Sequence, residues 1–369
     1  MITRRQMLAA AGSASAMLAV DELFAQSPAP QLRNMGGSPA GFGAHSSGGR
    51  GGLGAPTRGA APAGGRGRGP AFDFLEYFHS LGFGVAEGAR PASNDPEAIK
   101  AFRDKVEQYH MRVIIEGNLR NESALPNFEA TVKMAKEAGA ISLHLAMTAR
   151  RYEEFTDFAS FKTSFENNQK LIALAEPILR KYQMRLALEN HKGWRSAEQA
   201  AWLQRLGSEW VGVHFDFGNN VSLCEDPNET LQNLLPYIFG CHIKDMAVEP
   251  YEDGFLLSEV PLGEGFLDIK GMVATLQKKD PNMPFDLEMI VRDPLKIPVF
   301  TGKYWVTFDD SYSPLPGRDL AHTLELVHNN KPKSPLPHTT GLAPEAYVKL
   351  EDDCVARSID WARKNLSLA

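Results

Sequence analysis

Four short stretches of this chain each end in a residue able to hold a divalent cation: Leu186-Ala187-Leu188-Glu189, Val213-His214-Phe215-Asp216, Gly240-Cys241-His242 and Phe285-Asp286-Leu287-Glu288. Three carboxylates and one imidazole meeting at a point offer hard oxygen donors and a single nitrogen, a set that suits Mn²⁺, Mg²⁺ or Co²⁺ better than a thiolate-rich zinc site. Glu189 and Glu288 could also move protons, since a positioned carboxylate serves as general base or acid.

Such a meeting requires that the four stretches be neighbouring strands, and their alternation supports this. Side chains along a strand point to opposite faces in turn, so an inward Glu189 carries Ala187 inward and puts Leu186 and Leu188 outside. The same step makes His214 and Gly212 inward with Asp216, Gly240 and Lys244 inward with His242, and Asp286 inward with Glu288. The outward sets (Val211, Val213, Phe215; Phe239, Cys241, Ile243; Phe285, Leu287, Met289) are uniformly apolar. Two earlier runs agree, with Ile114 and Glu116, then Ser142, His144 and Ala146, on the inner side. Buried parallel strands usually read as continuous apolar runs. An inner face of Glu, Asp, His and Lys is costly unless the charges are paired, bind a metal or meet solvent. Structural ion pairs, such as Arg185 with Asp286, account for one or two of these residues rather than all of them, and clustered titratable groups mark a functional site.

The positioning elements alternate. Expected strands at Phe83–Glu87, Arg112–Gly117, Ile141–Met147, Arg185–Asn190, Val211–Phe217, Ile238–Lys244 and Phe285–Val291 are separated by expected helices, among them Asp95–His110, Phe128–Ala138, Phe158–Tyr182, Ser196–Leu206 and Asp268–Gln277. This is the βαβ pattern of a parallel sheet. Seven strands, with an eighth assigned to Pro39–Ser46, predict an α/β fold, a (β/α)₈ TIM barrel. No Gly-rich phosphate loop follows the first strand, which argues against an open dinucleotide-binding sheet.

At 369 residues, with 43% apolar and 23% charged residues, the chain has room for one such barrel plus tails. A formal charge of −6 gives no electrostatic reason to bind nucleic acid. Cys224, Cys241 and Cys354 make no disulfide framework. Residues 1–25 read as a twin-arginine-type signal: Arg4-Arg5, an alanine-rich run from Leu8 to Val20 too short to anchor in a membrane, then Leu23-Phe24-Ala25 as a cleavage site. The expectation is export to the periplasm, with the twin-arginine machinery as a partner. Residues 26–70, rich in Gly, Ala, Pro and Arg, read as a low-complexity linker. The barrel is assigned to residues 71–330. A C-terminal extension with a terminal helix occupies residues 331–369, and the stretch beyond Arg292 as a whole reads as a lid, a subunit arm of a homo-oligomer or a surface wrap.

The motifs LALENH, HFDFGN, HIKD, VPLGEGFLD and FDLEM, spread over residues 72–292, resemble the xylose isomerase-like barrel superfamily. The likeness is to its sugar phosphate isomerase/epimerase group, which includes ketose 3-epimerases and inosose dehydratases. The resemblance implies that Glu189, Asp216, His242 and Glu288 bind one divalent cation, Mn²⁺ first, with Mg²⁺, Co²⁺ or Zn²⁺ as alternatives. It implies an isomerase or epimerase that works on a keto-sugar through an enediolate, with Glu189 and Glu288 as base and acid. A lyase, hydrolase or dehydratase on 3-keto-glycosides or inososes would use the same residues. A non-catalytic exported sugar-binding barrel is a third reading, and it leaves the paired glutamates without a purpose. Expected substrate contacts are Lys244, His191, Asn219, Glu264 and Arg292. The alternatives are a Lys244 pair with Glu264 or Asp245, a simple turn at Glu264 and an Arg292 pair with Asp293. Asn219 departs from the pattern, since many epimerases carry His there. That His and the Asp-x-His pair of the related abasic-site endonucleases are both missing, which discounts DNA repair. Export argues for a sugar without phosphate.

Overall fold

The computed structural model describes residues 30–46, 72–147 and 150–368. The expected signal of residues 1–25 and most of the expected linker lie outside the described residues.

Eight parallel strands close into a barrel: β1 Leu32–Gly37, β2 Phe83–Glu87, β3 Arg112–Glu116, β4 Ser142–Leu145, β5 Leu186–Glu189, β6 Val211–Asp216, β7 Ile238–Ile243 and β10 Phe285–Leu287, in the order β1-β10-β7-β6-β5-β4-β3-β2. The first strand is a correction. Pro39–Ser46 forms a 3₁₀ turn, Pro39–Phe42, and a helical turn, Gly43–Ser46, while Leu32–Gly37 takes the place between β10 and β2. The reason is steric. Gly36 and Gly37 let β1 come close to its surroundings, since a Cβ on Gly36 would lie 2.2 Å from Asp286 Oδ1 and one on Gly37 2.5 Å from Phe78.

The outward residues of the strands join the helices in one apolar core that includes Val113, Ile115, Leu143, Leu186, Leu188, Val213, Phe215, Ile243, Phe285 and Leu287. Burying each such side chain contributes roughly 1.5–3 kcal/mol. The helices start and stop on local chemistry. Asp268 accepts from Gly271 N and caps helix Ile269–Lys279, and helix Ser196–Leu206 ends at Gly207, whose φ of 61° suits glycine. Arg185 does not pair with Asp286; its guanidinium stacks over Phe239 at 4.8 Å.

The chain beyond β7 adds a layer that the alternation of strands and helices did not reveal. β8 Asp245–Tyr251 and β9 Gly254–Val260 form a hairpin, and β11 Leu295–Ile297 pairs antiparallel with β9. This sheet leaves the barrel where β7 and β10 end. It buries a second apolar cluster containing Val221, Leu223, Met246, Phe255, Leu257, Ile297 and Tyr304. A buried arginine ties the following segment to the loop after β4. Arg151 donates to Thr307 O at 2.7 Å, Ser313 Oγ at 2.6 Å and Glu198 Oε2 at 3.1 Å, between the rings of Phe161 and Phe308. The terminal helix, Pro344–Asn365, returns to the N-terminal segment, where Glu351 accepts from Ala44 N at 2.8 Å. Cys224, Cys241 and Cys354 are buried free thiols. Among the described residues no helix is long and apolar enough to cross a membrane.

Candidate metal centre and active site

Glu189 and Asp216 end their strands, His242 lies one residue before the end of β7, and Glu288 follows β10 directly. Register sets Asp216 level with His242 and Asp286 level with His242. A bond from Glu288 N to Ile243 O at 3.1 Å extends that ladder by one step. All four ligand-type side chains are buried, and their ligand atoms lie within 4.8 Å of one another.

The imidazole of His242 organises the group. Its Nε2 lies 2.8 Å from Glu87 Oε2. Its Nδ1 makes no hydrogen bond, and lies 3.5 Å from Glu288 Oε1, 3.9 Å from Glu189 Oε1 and 3.9 Å from Asp216 Oδ2. These separations are too long for hydrogen bonds. They suit donors surrounding an ion, since two ligands each about 2.1 Å from a cation stand about 3.0–4.2 Å apart. The orphaned nitrogen and the hard donor set therefore fit a divalent cation: Glu189, Asp216, His242 and Glu288 could hold one.

Each carboxylate is aimed by its neighbours. Asp216 Oδ1 accepts from Gly218 N at 2.9 Å and Asn219 N at 2.7 Å, which leaves Oδ2 for the centre. Asn190 holds the Asp216 backbone from both sides, accepting from its N at 2.6 Å and donating to its O at 2.9 Å. Lys244 lies between two of the ligands, 2.6 Å from Asp216 Oδ2 and in contact with Glu288 Oε2. It pairs with neither Glu264 nor Asp245. Burial raises the Asp216 carboxyl to about 6 in spite of Lys244. Burial also works against an ionised Glu189, yet His191, His144 and His242 hold that carboxyl well below the usual range. Glu288 is likewise lowered, because Lys244 and His242 outweigh its burial. For His242 burial opposes the charged ring, but Glu87 and Glu288 hold it well above the ordinary histidine range, so an incoming cation must displace a proton.

Beneath the mouth lies a second polar layer. His144 Nδ1 sits 3.2 Å from Glu87 Oε1 and 3.0 Å from Glu116 Oε1, with Nε2 3.4 Å from Glu189 Oε2. His214 Nε2 is 3.7 Å from Glu87 Oε2 and 4.0 Å from Asp286 Oδ2. Glu87, fully buried, is the hub of this layer, and sequence reasoning placed it in a strand without giving it a part. The one available signal was its position as the last residue of an apolar run, the place Glu189 holds in its own strand.

The expected substrate contacts divide. His191 lines a small opening beside Glu189 with Met147, Leu188, Gly193 and Trp194. Asn219 is occupied at both ends of its amide, donating to Glu189 Oε1 at 2.9 Å and accepting from Lys192 Nζ, so it positions a ligand and is not a free substrate contact. Arg292 pairs with Glu259, its Nε 3.2 Å from Oε2, and not with Asp293, which binds Thr339 and Thr340. Glu264 is not brought to the centre. Asp245 Oδ2 accepts from the flanking Gly263 N at 2.9 Å and Gly265 N at 2.8 Å, and Glu264 turns outward to Arg357 at 2.8 Å. Lys192, in the loop after β5, has a buried ammonium, and burial together with Lys244 and Arg292 lowers it to about 8.

A model of the xylose isomerase-like TIM barrel family matches residues 72–302, and the chain belongs to that family. The 3-oxo-isoapionate decarboxylase of Pectobacterium atrosepticum is 25% identical over 145 residues, 39% of this chain and 53% of that protein, so the chain spans about half the length of this curated relative. Among solved structures, the 3-keto-D-glucoside 4-epimerase of E. coli is similar at a TM-score of 0.47 and 14% identity, over 68% of this chain and 92% of that one. A xylose isomerase domain protein from Planctomyces limnophilus is similar at a TM-score of 0.46 and 17% identity, over 69% and 90% of the two chains.

Proposed function

We propose that the protein is a divalent-metal-dependent isomerase or epimerase of a keto-sugar. The observation that carries this reading is the buried His242 Nδ1, without a hydrogen bond and 3.5–3.9 Å from one oxygen each of Glu288, Glu189 and Asp216. Glu189, Asp216, His242 and Glu288 would hold a divalent cation, Mn²⁺ by preference, which would supply polarisation of a carbonyl next to the carbon that loses its proton. Glu288 is kept ionised by Lys244 and so stands ready as base. Glu189, on the strand across the mouth, is steadied through Asn219 and handles the proton on the other face of the sugar. Removal on one face and return on the other inverts the carbon. The burial of the four ligand side chains limits the access of bulk water to the proton in transit.

A second reading, a lyase on the same kind of substrate, is favoured by the relative named 3-oxo-isoapionate decarboxylase. Loss of a group from the β-position needs the same cation and the same carboxylates. The twin-arginine-type start of the sequence supports a periplasmic, non-phosphorylated substrate. The test is product analysis by NMR in D₂O with Mn²⁺ over a panel of free keto-sugars, 3-keto-glycosides and phosphosugars. A deuterated, inverted product supports the epimerase and an eliminated or decarboxylated product the lyase. Turnover confined to phosphosugars would overturn the substrate assignment, and no turnover across the panel would overturn the enzyme reading.

A further inference from the structure

Among the described residues, one buried cation beside the candidate centre has no carboxylate within ion-pair distance. Lys192 is 3% exposed, in the loop after β5. Its neighbours in charge are all matched: Lys244 lies against Asp216 and Glu288, and Arg292 against Glu259. Lys192 differs. Among the described residues the partner of its ammonium is a neutral amide oxygen, Asn219 Oδ1, and no carboxylate pairs with it. Asn219 donates in turn to Glu189 Oε1 at 2.9 Å, so the ammonium is one side chain away from an oxygen of the candidate metal ligands. An ammonium carries three donors, and among the described residues its hydrogen bond goes to Asn219. A buried, unpaired charge costs several kcal/mol, and natural sites keep such a group when a ligand completes it.

We infer that Lys192 binds a carboxylate of the substrate, so that the protein acts on a keto-sugar acid. This rests on the metal-dependent keto-sugar reading given above. A lone ammonium beside a neutral amide supplies one charge and point-like donors, which suits a monoanionic carboxylate; a phosphate ester carries more charge and is usually met by several cations or an arginine fork. Asn219 then has two tasks, since the amide that donates to Glu189 also accepts from the ammonium. The carboxylate end of the sugar lies toward the loop after β5, and its carbonyl lies toward His242.

The test uses the full-length protein loaded with Mn²⁺, with occupancy followed by electron paramagnetic resonance. D-gluconate, D-glucitol and D-glucitol 6-phosphate are titrated calorimetrically. The expected result is that gluconate binds about ten-fold or more tighter than glucitol, as a hydrogen bond to a charged group implies, and that Lys192→Met removes the difference. Lys192→Arg should keep part of it, Mn²⁺ occupancy should be unchanged in both variants, and Lys192→Met, which removes a buried unpaired charge, should unfold at no lower temperature than the wild type. An unchanged gluconate preference in Lys192→Met, equal binding of gluconate and glucitol by the wild type, or preference for the phosphate ester would overturn the inference. Failure to take up Mn²⁺ would instead sink the metal reading. In that event the same titration on the metal-free protein still decides for or against Lys192, by whether Lys192→Met loses a gluconate preference.

Discussion

Glu87 Oε2 lies 2.8 Å from His242 Nε2, and this contact between β2 and β7 leaves the other imidazole nitrogen facing three carboxylates. A carboxylate behind a metal-ligating histidine fixes its tautomer and raises its basicity. Glu87→Gln should therefore lower Mn²⁺ affinity by about 10–100-fold while the fold is retained. The pH dependence gives a second check. Glu87 and Glu288 raise the His242 pKa in the metal-free protein, so protons compete with the cation and affinity is lost as pH falls through that raised value. In the wild type the affinity should keep rising with pH beyond the ordinary histidine range, and in Glu87→Gln the rise should be complete at lower pH. Mn²⁺ titrations across pH followed by electron paramagnetic resonance measure both.

Lys244 contacts two of the four ligand side chains in the metal-free protein and offsets one unit of their negative charge. Removing one partner of a buried pair leaves uncompensated charge and costs about 3–5 kcal/mol. Lys244→Met should lose about that much stability in urea unfolding after EDTA treatment. Adding Mn²⁺ should recover most of the loss, because the ion supplies the positive charge that the variant lacks. A variant equally destabilised with and without Mn²⁺ would place Lys244 outside the centre.

Arg151 holds the segment after β11 against the barrel through Thr307, Ser313 and Glu198. Arg151→Met leaves these acceptors buried and should destabilise the protein by about 3 kcal/mol. Limited proteolysis should then cut first near residues 306–316, where the wild type resists. Cleavage elsewhere would show that the segment is held by other contacts.

The candidate centre was legible in the sequence to the extent that it obeys a period of two. Glu189, Asp216, His242 and Glu288 each come near the end of a run whose alternate residues are apolar, and that pattern survives without knowledge of neighbours. Glu87 ends an apolar run as Glu189 does, but its part depends on His242, 155 residues away, and Lys192 follows no such rule, because its part depends on Asn219, 27 residues away. Glu264 was misplaced for a related reason: the direction of a turn residue is set by what binds the turn, here Asp245, and not by its own spacing. β1 was displaced toward Pro39 because Leu32-Arg33-Asn34-Met35-Gly36-Gly37 has little apolar alternation and reads as part of the low-complexity tract. Its strand character comes from pairing with β10 and β2. The hairpin of β8 and β9 went unread because its residues follow the His242 strand with no helix between, where βαβ logic expects a loop.

The most direct test of the central claim, that Glu288 and Glu189 exchange a proton beside a bound cation, is solvent deuterium exchange into the carbon next to the carbonyl of a keto-sugar substrate, followed by NMR. The account predicts exchange in the Mn²⁺-loaded wild type and none after EDTA treatment. It predicts a loss of about 10²–10⁴-fold in Glu288→Gln and in Glu189→Gln, with circular dichroism unchanged. Exchange at the wild-type rate in Glu288→Gln, or undiminished exchange in the metal-free protein, would contradict it.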